Sequence, residues 1–246
     1  MKHIYAVTFF LVFTSAAFAA QGRPVHYQVG GQDFEGYYIS PSKDAPFILL
    51  IHDWDGLTDY EVKRAGMLAD MGYSVFAADL FGAGVRPTEV KDKRQHTGEL
   101  YKDRTRMRSL LVGALETARA KGANVDNGVA MGYCFGGAAV LELASSGVDL
   151  KGFVTFHGGL GTPEGQDYSQ VRGTVVVFHG SADTAITMDD FADLAKRLES
   201  SGISHEMITY SGAPHAFTVY DTDRYRKDAD EKSWRRFGEF LDAVLK

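Results

Sequence analysis

The chain has 246 residues, 45% of them hydrophobic, and 26 Lys and Arg against 32 Asp and Glu give a formal charge of −6. An acidic balance without long basic runs argues against nucleic acid and anionic membranes as partners, and the length suits one domain with a full-sized core. One cysteine excludes an intrachain disulfide, so packing must hold the fold.

The N-terminus carries Lys2, an apolar run over residues 4–13, and the small residues Ala16, Ala17, Ala19 and Ala20 around Phe18. This reads as a secretory signal peptide over residues 1–19, too short in its apolar part to span a bilayer. Cleavage after Ala19 fits small residues at Ala17 and Ala19, whereas cleavage after Ala20 would put bulky Phe18 three residues back. Removal takes away Lys2 and no acid, moving the charge from −6 to −7 in a mature chain of residues 20–246. The expected location is the periplasm or the medium, with no stable membrane association after cleavage.

A hairpin is expected from the alternation in residues 26–29 and 34–39 about Gly30-Gly31. Apolar strands follow at 47–51, 74–78, 128–131, 152–156, 174–178 and 206–210, with helix-like segments at 60–71, 97–120, 135–145, 188–200 and 227–245. Continuous apolar strands alternating with amphipathic helices predict one α/β domain, a mostly parallel central sheet with helices on both faces. Ligands of such sheets bind at the carboxyl ends of the strands.

The residues at those ends are rich in titratable groups. The run Gly132-Tyr133-Cys134-Phe135-Gly136-Gly137 breaks an apolar strand into a G-x-C-x-G turn with a helix after it, the pattern of a nucleophile elbow with sulfur in place of oxygen. Gly132 and Gly136 leave room for a turn this sharp, and the helix N-terminus is expected to favour a thiolate. The commoner fate of a free cysteine is that of a buried, inert hydrophobe, and the flanking glycines weigh against it here. A thiol nucleophile needs a base, and the base needs an acid. Chain order Cys134, Asp183, His215 supplies nucleophile, acid and base, the last two on turns beyond their strands.

His52, His157 and His179 also end strands. His52 and His179 are expected to donate hydrogen bonds that stabilise their loops, and His157 to line the pocket. No H-x-x-x-H or H-x-H pair occurs, so neither a metal nor another cofactor is expected.

Those residues, with Gly180-Ser181-Ala182-Asp183 and Gly212-Ala213-Pro214-His215-Ala216-Phe217, resemble the dienelactone hydrolases, cysteine members of the α/β-hydrolase fold. The resemblance covers most of the mature chain. It implies Cys134 as nucleophile, His215 as base, Asp183 as its partner, and an oxyanion hole from the backbone N–H groups of Trp54 and Phe135. Two departures stand out. Members that cleave dienelactone carry a glutamate that helps take the proton of the resting thiol, and Asp53, one methylene shorter, holds that place here. They also bind a substrate carboxylate with arginines, one of them four residues after the histidine, where this chain has Val219. Arg94 is the candidate for the other, with Arg86 and Arg104 as competitors.

The reading is a hydrolase that cleaves a small carboxylic ester or lactone through an acyl-thioester on Cys134. A thiol peroxidase is disfavoured because no second cysteine can resolve a sulfenic acid. A binding protein on a hydrolase scaffold is disfavoured because a retired site has no chemical reason to keep all three residues. Oligomeric state is not legible.

Overall fold

The computed structural model describes residues 20–246; the predicted signal peptide at 1–19 lies outside the described residues. The chain runs β1 (Arg23–Val29), β2 (Gln32–Ile39), β3 (Pro46–Ile51), α1 (Asp59–Asp70), β4 (Ser74–Ala78), α2 (Val90–Lys102), α3 (Arg104–Ala120), β5 (Asn124–Tyr133), α4 (Phe135–Ser145), β6 (Gly152–Phe156), β7 (Thr174–Gly180), α5 (Met188–Ser200), β8 (His205–Tyr210) and α6 (Lys227–Leu245). The strands form one sheet in the order β1-β2-β4-β3-β5-β6-β7-β8. From β4 to β8 every pairing is parallel, and only the hairpin side, β1 with β2 and β2 with β4, is antiparallel. This is the α/β-hydrolase fold.

The apolar strands read as continuous runs because both faces of the sheet are covered. Along β3, Phe47, Leu49 and Ile51 pack on one side with Leu110 of α3, Val140 of α4 and Leu194 of α5. Ile48 and Leu50 pack on the other with Leu68 of α1 and Phe237 of α6. Each such side chain taken fully out of water contributes about 1.5–3 kcal/mol, so the two cores hold the fold without a covalent staple. The hairpin turns at Gly30 and Gly31, whose φ of 58° and 80° suits a two-residue turn.

One predicted element is two. The helix expected over 97–120 starts earlier, at Val90, and breaks at Asp103, where φ is −117° and ψ 76°. The Asp103 carboxylate accepts the Arg106 N–H at 2.9 Å, capping a new helix in the middle of what the hydrophobic pattern shows as one.

Candidate active site

β5 delivers Cys134 and α4 carries the chain away, so one residue makes the whole reversal. Its φ of 49° and ψ of −110° lie where a side chain is rarely tolerated. Glycine makes the approach possible: a Cβ on Gly132 would sit 2.3 Å from the Gly136 carbonyl, and one on Gly136 would sit 2.5 Å from the carbonyl oxygens of Ile51 and His52. Backbone bonds fix the bend, with the Cys134 N–H on the Phe156 carbonyl at 3.1 Å and the Cys134 carbonyl taking the Gly137 N–H at 3.1 Å.

Asp183 and His215 reach the elbow from the turns after β7 and β8. These turns press together at Gly180, where a Cβ would lie 2.2 Å from the Ala213 carbonyl oxygen, and the Ala182 N–H donates to that oxygen at 3.0 Å. Asp183 Oδ1 accepts from the N–H groups of Ala185 at 2.8 Å and Ile186 at 2.9 Å. Its Oδ2 lies 2.7 Å from His215 Nδ1, and His215 Nε2 lies 3.1 Å from Cys134 Sγ. Burial alone would raise the Asp183 carboxyl. The bonds from His215 and the Ile186 N–H outweigh it and hold the carboxyl below the usual range. An ionised Asp183 fixes the proton of His215 on Nδ1 and leaves Nε2 free to accept from sulfur.

The thiol does not rest as the thiolate expected from the helix end. Burial, then the charge of Asp53 and a hydrogen bond to it, push Cys134 well above its ordinary value, and the Phe135 N–H opposes them without prevailing. The charge of Asp53 is therefore felt at the sulfur despite the shorter side chain. Its own carboxyl is raised by burial and by neighbouring Asp55. Asp53 Oδ1 also accepts the Trp54 N–H at 2.5 Å, so one expected oxyanion donor is already engaged. The loop is anchored by a residue that sequence reasoning missed: fully buried Glu61 accepts from the N–H groups of Asp53 at 3.2 Å and Thr58 at 2.8 Å. Its signal was the capping pattern of Thr58 and Glu61 at the start of α1.

None of His52, His157 and His179 is hydrogen-bonded to Cys134. His52 accepts the Leu80 N–H on Nε2 at 3.2 Å and pairs through Nδ1 with the Asp53 carbonyl at 2.6 Å, a neutral strut as expected. His179 departs from expectation, since neither ring nitrogen has a hydrogen-bond partner and the ring stacks on Phe191. His157 does not line the pocket but lies buried behind His215, the ring centroids 5.4 Å apart.

Above the thiol opens a cavity of about 670 Å³ whose walls include Trp54, Tyr60, Tyr101, Ile186 and Val219. Arg94 lines it, while Arg86 is turned to Asp79 and the Glu35 carbonyl and Arg104 to Glu142. Lys93 and Arg224 also line it and were not foreseen, because the loop and helix that carry them have no motif. Lys93 pairs with Asp55 at 3.4 Å. Arg94 and Arg224 have no ion pair among the described residues. Among those residues no group of three or more His, Cys, Asp or Glu is set to hold a metal ion.

Comparison with known proteins agrees with this architecture. The model of the dienelactone hydrolase family matches residues 34–245. A protein of Saccharolobus solfataricus named "Putative carboxymethylenebutenolidase" is 24% identical over 260 residues, covering 91% of this chain and 99% of its own. A solved structure called m3DLH superposes with a TM-score of 0.87 at 29% identity, over 93% of this chain and all of the other. A dienelactone hydrolase-like promiscuous phosphotriesterase from metagenomic libraries does so with a TM-score of 0.86 at 26% identity and the same coverage. The match over nearly the whole described chain assigns this protein to the dienelactone hydrolase family.

Proposed function

We propose that this hydrolase cleaves a carboxylic ester or lactone through an acyl-thioester on Cys134. The observation that carries the reading is the line Asp183 Oδ2, His215 Nδ1, His215 Nε2, Cys134 Sγ, with steps of 2.7 and 3.1 Å across the ring. In this reading the thiol loses its proton as sulfur attacks the substrate carbonyl, and the oxyanion of the tetrahedral intermediate lies toward the N–H groups of Phe135 and Trp54. Collapse breaks the bond to the alcohol oxygen, which leaves with the proton that came from sulfur, relayed from Asp53 through His215. Water then attacks the thioester, giving its proton to His215, and the carboxylic acid departs as the thiol is restored.

Asp53 has two tasks in this scheme. In the resting site it opposes the thiolate and occupies the Trp54 N–H. When substrate disturbs the pocket, a proton passed from sulfur to Asp53 neutralises the carboxylate, and a neutral acid is a weaker acceptor for the Trp54 N–H. Activation of the nucleophile and release of the oxyanion donor are then one event. Arg94 and Arg224 are proposed to hold a substrate carboxylate at the mouth of the cavity, having no partner of their own among the described residues. Export of the mature chain from residue 20 is part of the same proposal.

The test is turnover on a panel of chromogenic esters, lactones and one phosphotriester, the last because of the similar phosphotriesterase. Cys134→Ala and His215→Ala are expected to lose about 10³-fold or more in ester turnover while keeping the wild-type circular dichroism. Retention of most turnover by either variant contradicts the mechanism. On anionic esters, neutralising Arg94 and Arg224 together is expected to raise KM about tenfold, with neutral esters unaffected.

A further inference from the structure

Behind the catalytic histidine lies a buried polar chain that the hydrolytic scheme does not use. Arg64 of α1 is 1% exposed and forms an ion pair with Asp230 of α6 at 2.5 Å. Its Nη2 donates to the Thr218 carbonyl at 3.0 Å and its Nε to the Tyr60 hydroxyl at 3.3 Å. The Tyr60 hydroxyl lies 2.7 Å from Thr218 Oγ1, which lies 2.8 Å from His157 Nε2. The His157 ring meets that of His215 at 69°.

The direction of these bonds follows from counting protons. A guanidinium only donates, so Tyr60 oxygen accepts from Arg64. If the Tyr60 O–H donates onward to Thr218, the Thr218 O–H is free to donate to His157 Nε2, and the ring carries its proton on Nδ1. This direction leaves one buried group of the chain unpaired, the Nδ1 proton, whereas reversing it leaves two, the Tyr60 proton and the Nδ1 lone pair, and stranding two is the worse arrangement.

We propose that Arg64, acting through Tyr60 and Thr218, holds His157 as a neutral ring protonated on Nδ1, and that this ring is a positioning residue that allows His215 to become cationic. A second cation in van der Waals range of His215 would oppose the imidazolium formed when His215 takes the relayed thiol proton in acylation or the proton of water in deacylation. The charged and titratable groups facing His157 are Arg64 from α1, His179 from β7 and His215 from the loop after β8, with Tyr133 of β5 packed on its ring. Burial, then His215 and Arg64, act against a charge on it. The inference rests on the proposed role of His215 as base.

Nitrogen-15 NMR of the histidines tests the tautomer without any turnover. In the wild type the expected result, over about pH 5 to 8, is a His157 that stays neutral with its proton on Nδ1. A proton on Nε2, or a charged ring near neutral pH, overturns the inference. Thr218→Val removes the donor while keeping the backbone carbonyl that Arg64 holds. Burial, His215 and Arg64 still act against a charge on the ring, so His157 is expected to stay neutral but to lose its fixed tautomer, with Nε2 carrying the proton in a share of the molecules, and Thr218→Ser should restore the Nδ1 form. A Thr218→Val enzyme with the wild-type tautomer of His157, or a Thr218→Ser enzyme that does not restore it, overturns the inference. Should the valine variant not fold, the wild-type tautomer decides. Failure of all ester turnover with the expected tautomer present would count against the proposed function, not against this network.

Discussion

At Asp53 one carboxylate faces two ways, toward the sulfur and toward the N–H of its own neighbour. Removing its charge therefore has opposite effects on two reactions of the same thiol. Asp53→Asn takes away a like charge and an acceptor that holds the proton on sulfur, so the Cys134 thiol falls toward its ordinary value. Alkylation by iodoacetamide near pH 7 is expected to speed up about tenfold. Acylation by an ester, which in the proposed scheme uses Asp53 as the first proton acceptor, is expected to slow about tenfold. Stopped-flow acylation and a timed alkylation assay on the same preparation measure both. Parallel changes in the two rates would rule out the activating role. The sequence placed the carboxylate beside the elbow, but its hold on Trp54 was not legible, because that bond depends on a side-chain torsion no spacing encodes.

Among the elements, α1 couples the site to stability. Glu61 in its first turn closes a capping box with Thr58 and ties down the Asp53 N–H. Burial raises its carboxyl from 4.5 to about 7, against the bonds from Thr58 that favour ionisation. A group whose folded value lies above its unfolded value contributes stability that is full below the unfolded value and is lost as pH climbs through the folded one. Between the two values the native chain holds a proton that the unfolded chain has released, and the loss across the window is about 3 kcal/mol. Urea unfolding at a series of pH values is expected to show a decline from pH 4.5 to 7 that Glu61→Gln flattens. A glutamine variant that declines in parallel with the wild type would assign the slope to other groups. The break at Asp103 shows why α2 and α3 were read as one element: hydrophobic periodicity passes through a capping aspartate without a signal.

Over the whole molecule, the parts of the site written by backbone geometry were legible and the parts written by side-chain reach were not. Apolar runs marked five of the six parallel strands because both sheet faces are buried there, while β8 at the sheet edge is only half-buried, and glycines marked the elbow because a Cβ there would collide with carbonyls. Residues at strand ends then had to converge, and Cys134, Asp183 and His215 do. Arg224, Lys93 and the Arg64 network escaped because they come from loops and helix faces whose partners lie more than a hundred residues away or in no motif at all. The account stands on a covalent bond to one sulfur. Mixing the enzyme with a chromogenic ester, quenching in acid within the first turnover and weighing the intact protein and its peptides tests that bond directly. The account predicts a burst of about one equivalent of chromophore per site and the acyl mass on the peptide containing Cys134, both absent in Cys134→Ala. An acyl group on another residue, or a Cys134→Ala enzyme that still gives the burst, would contradict it.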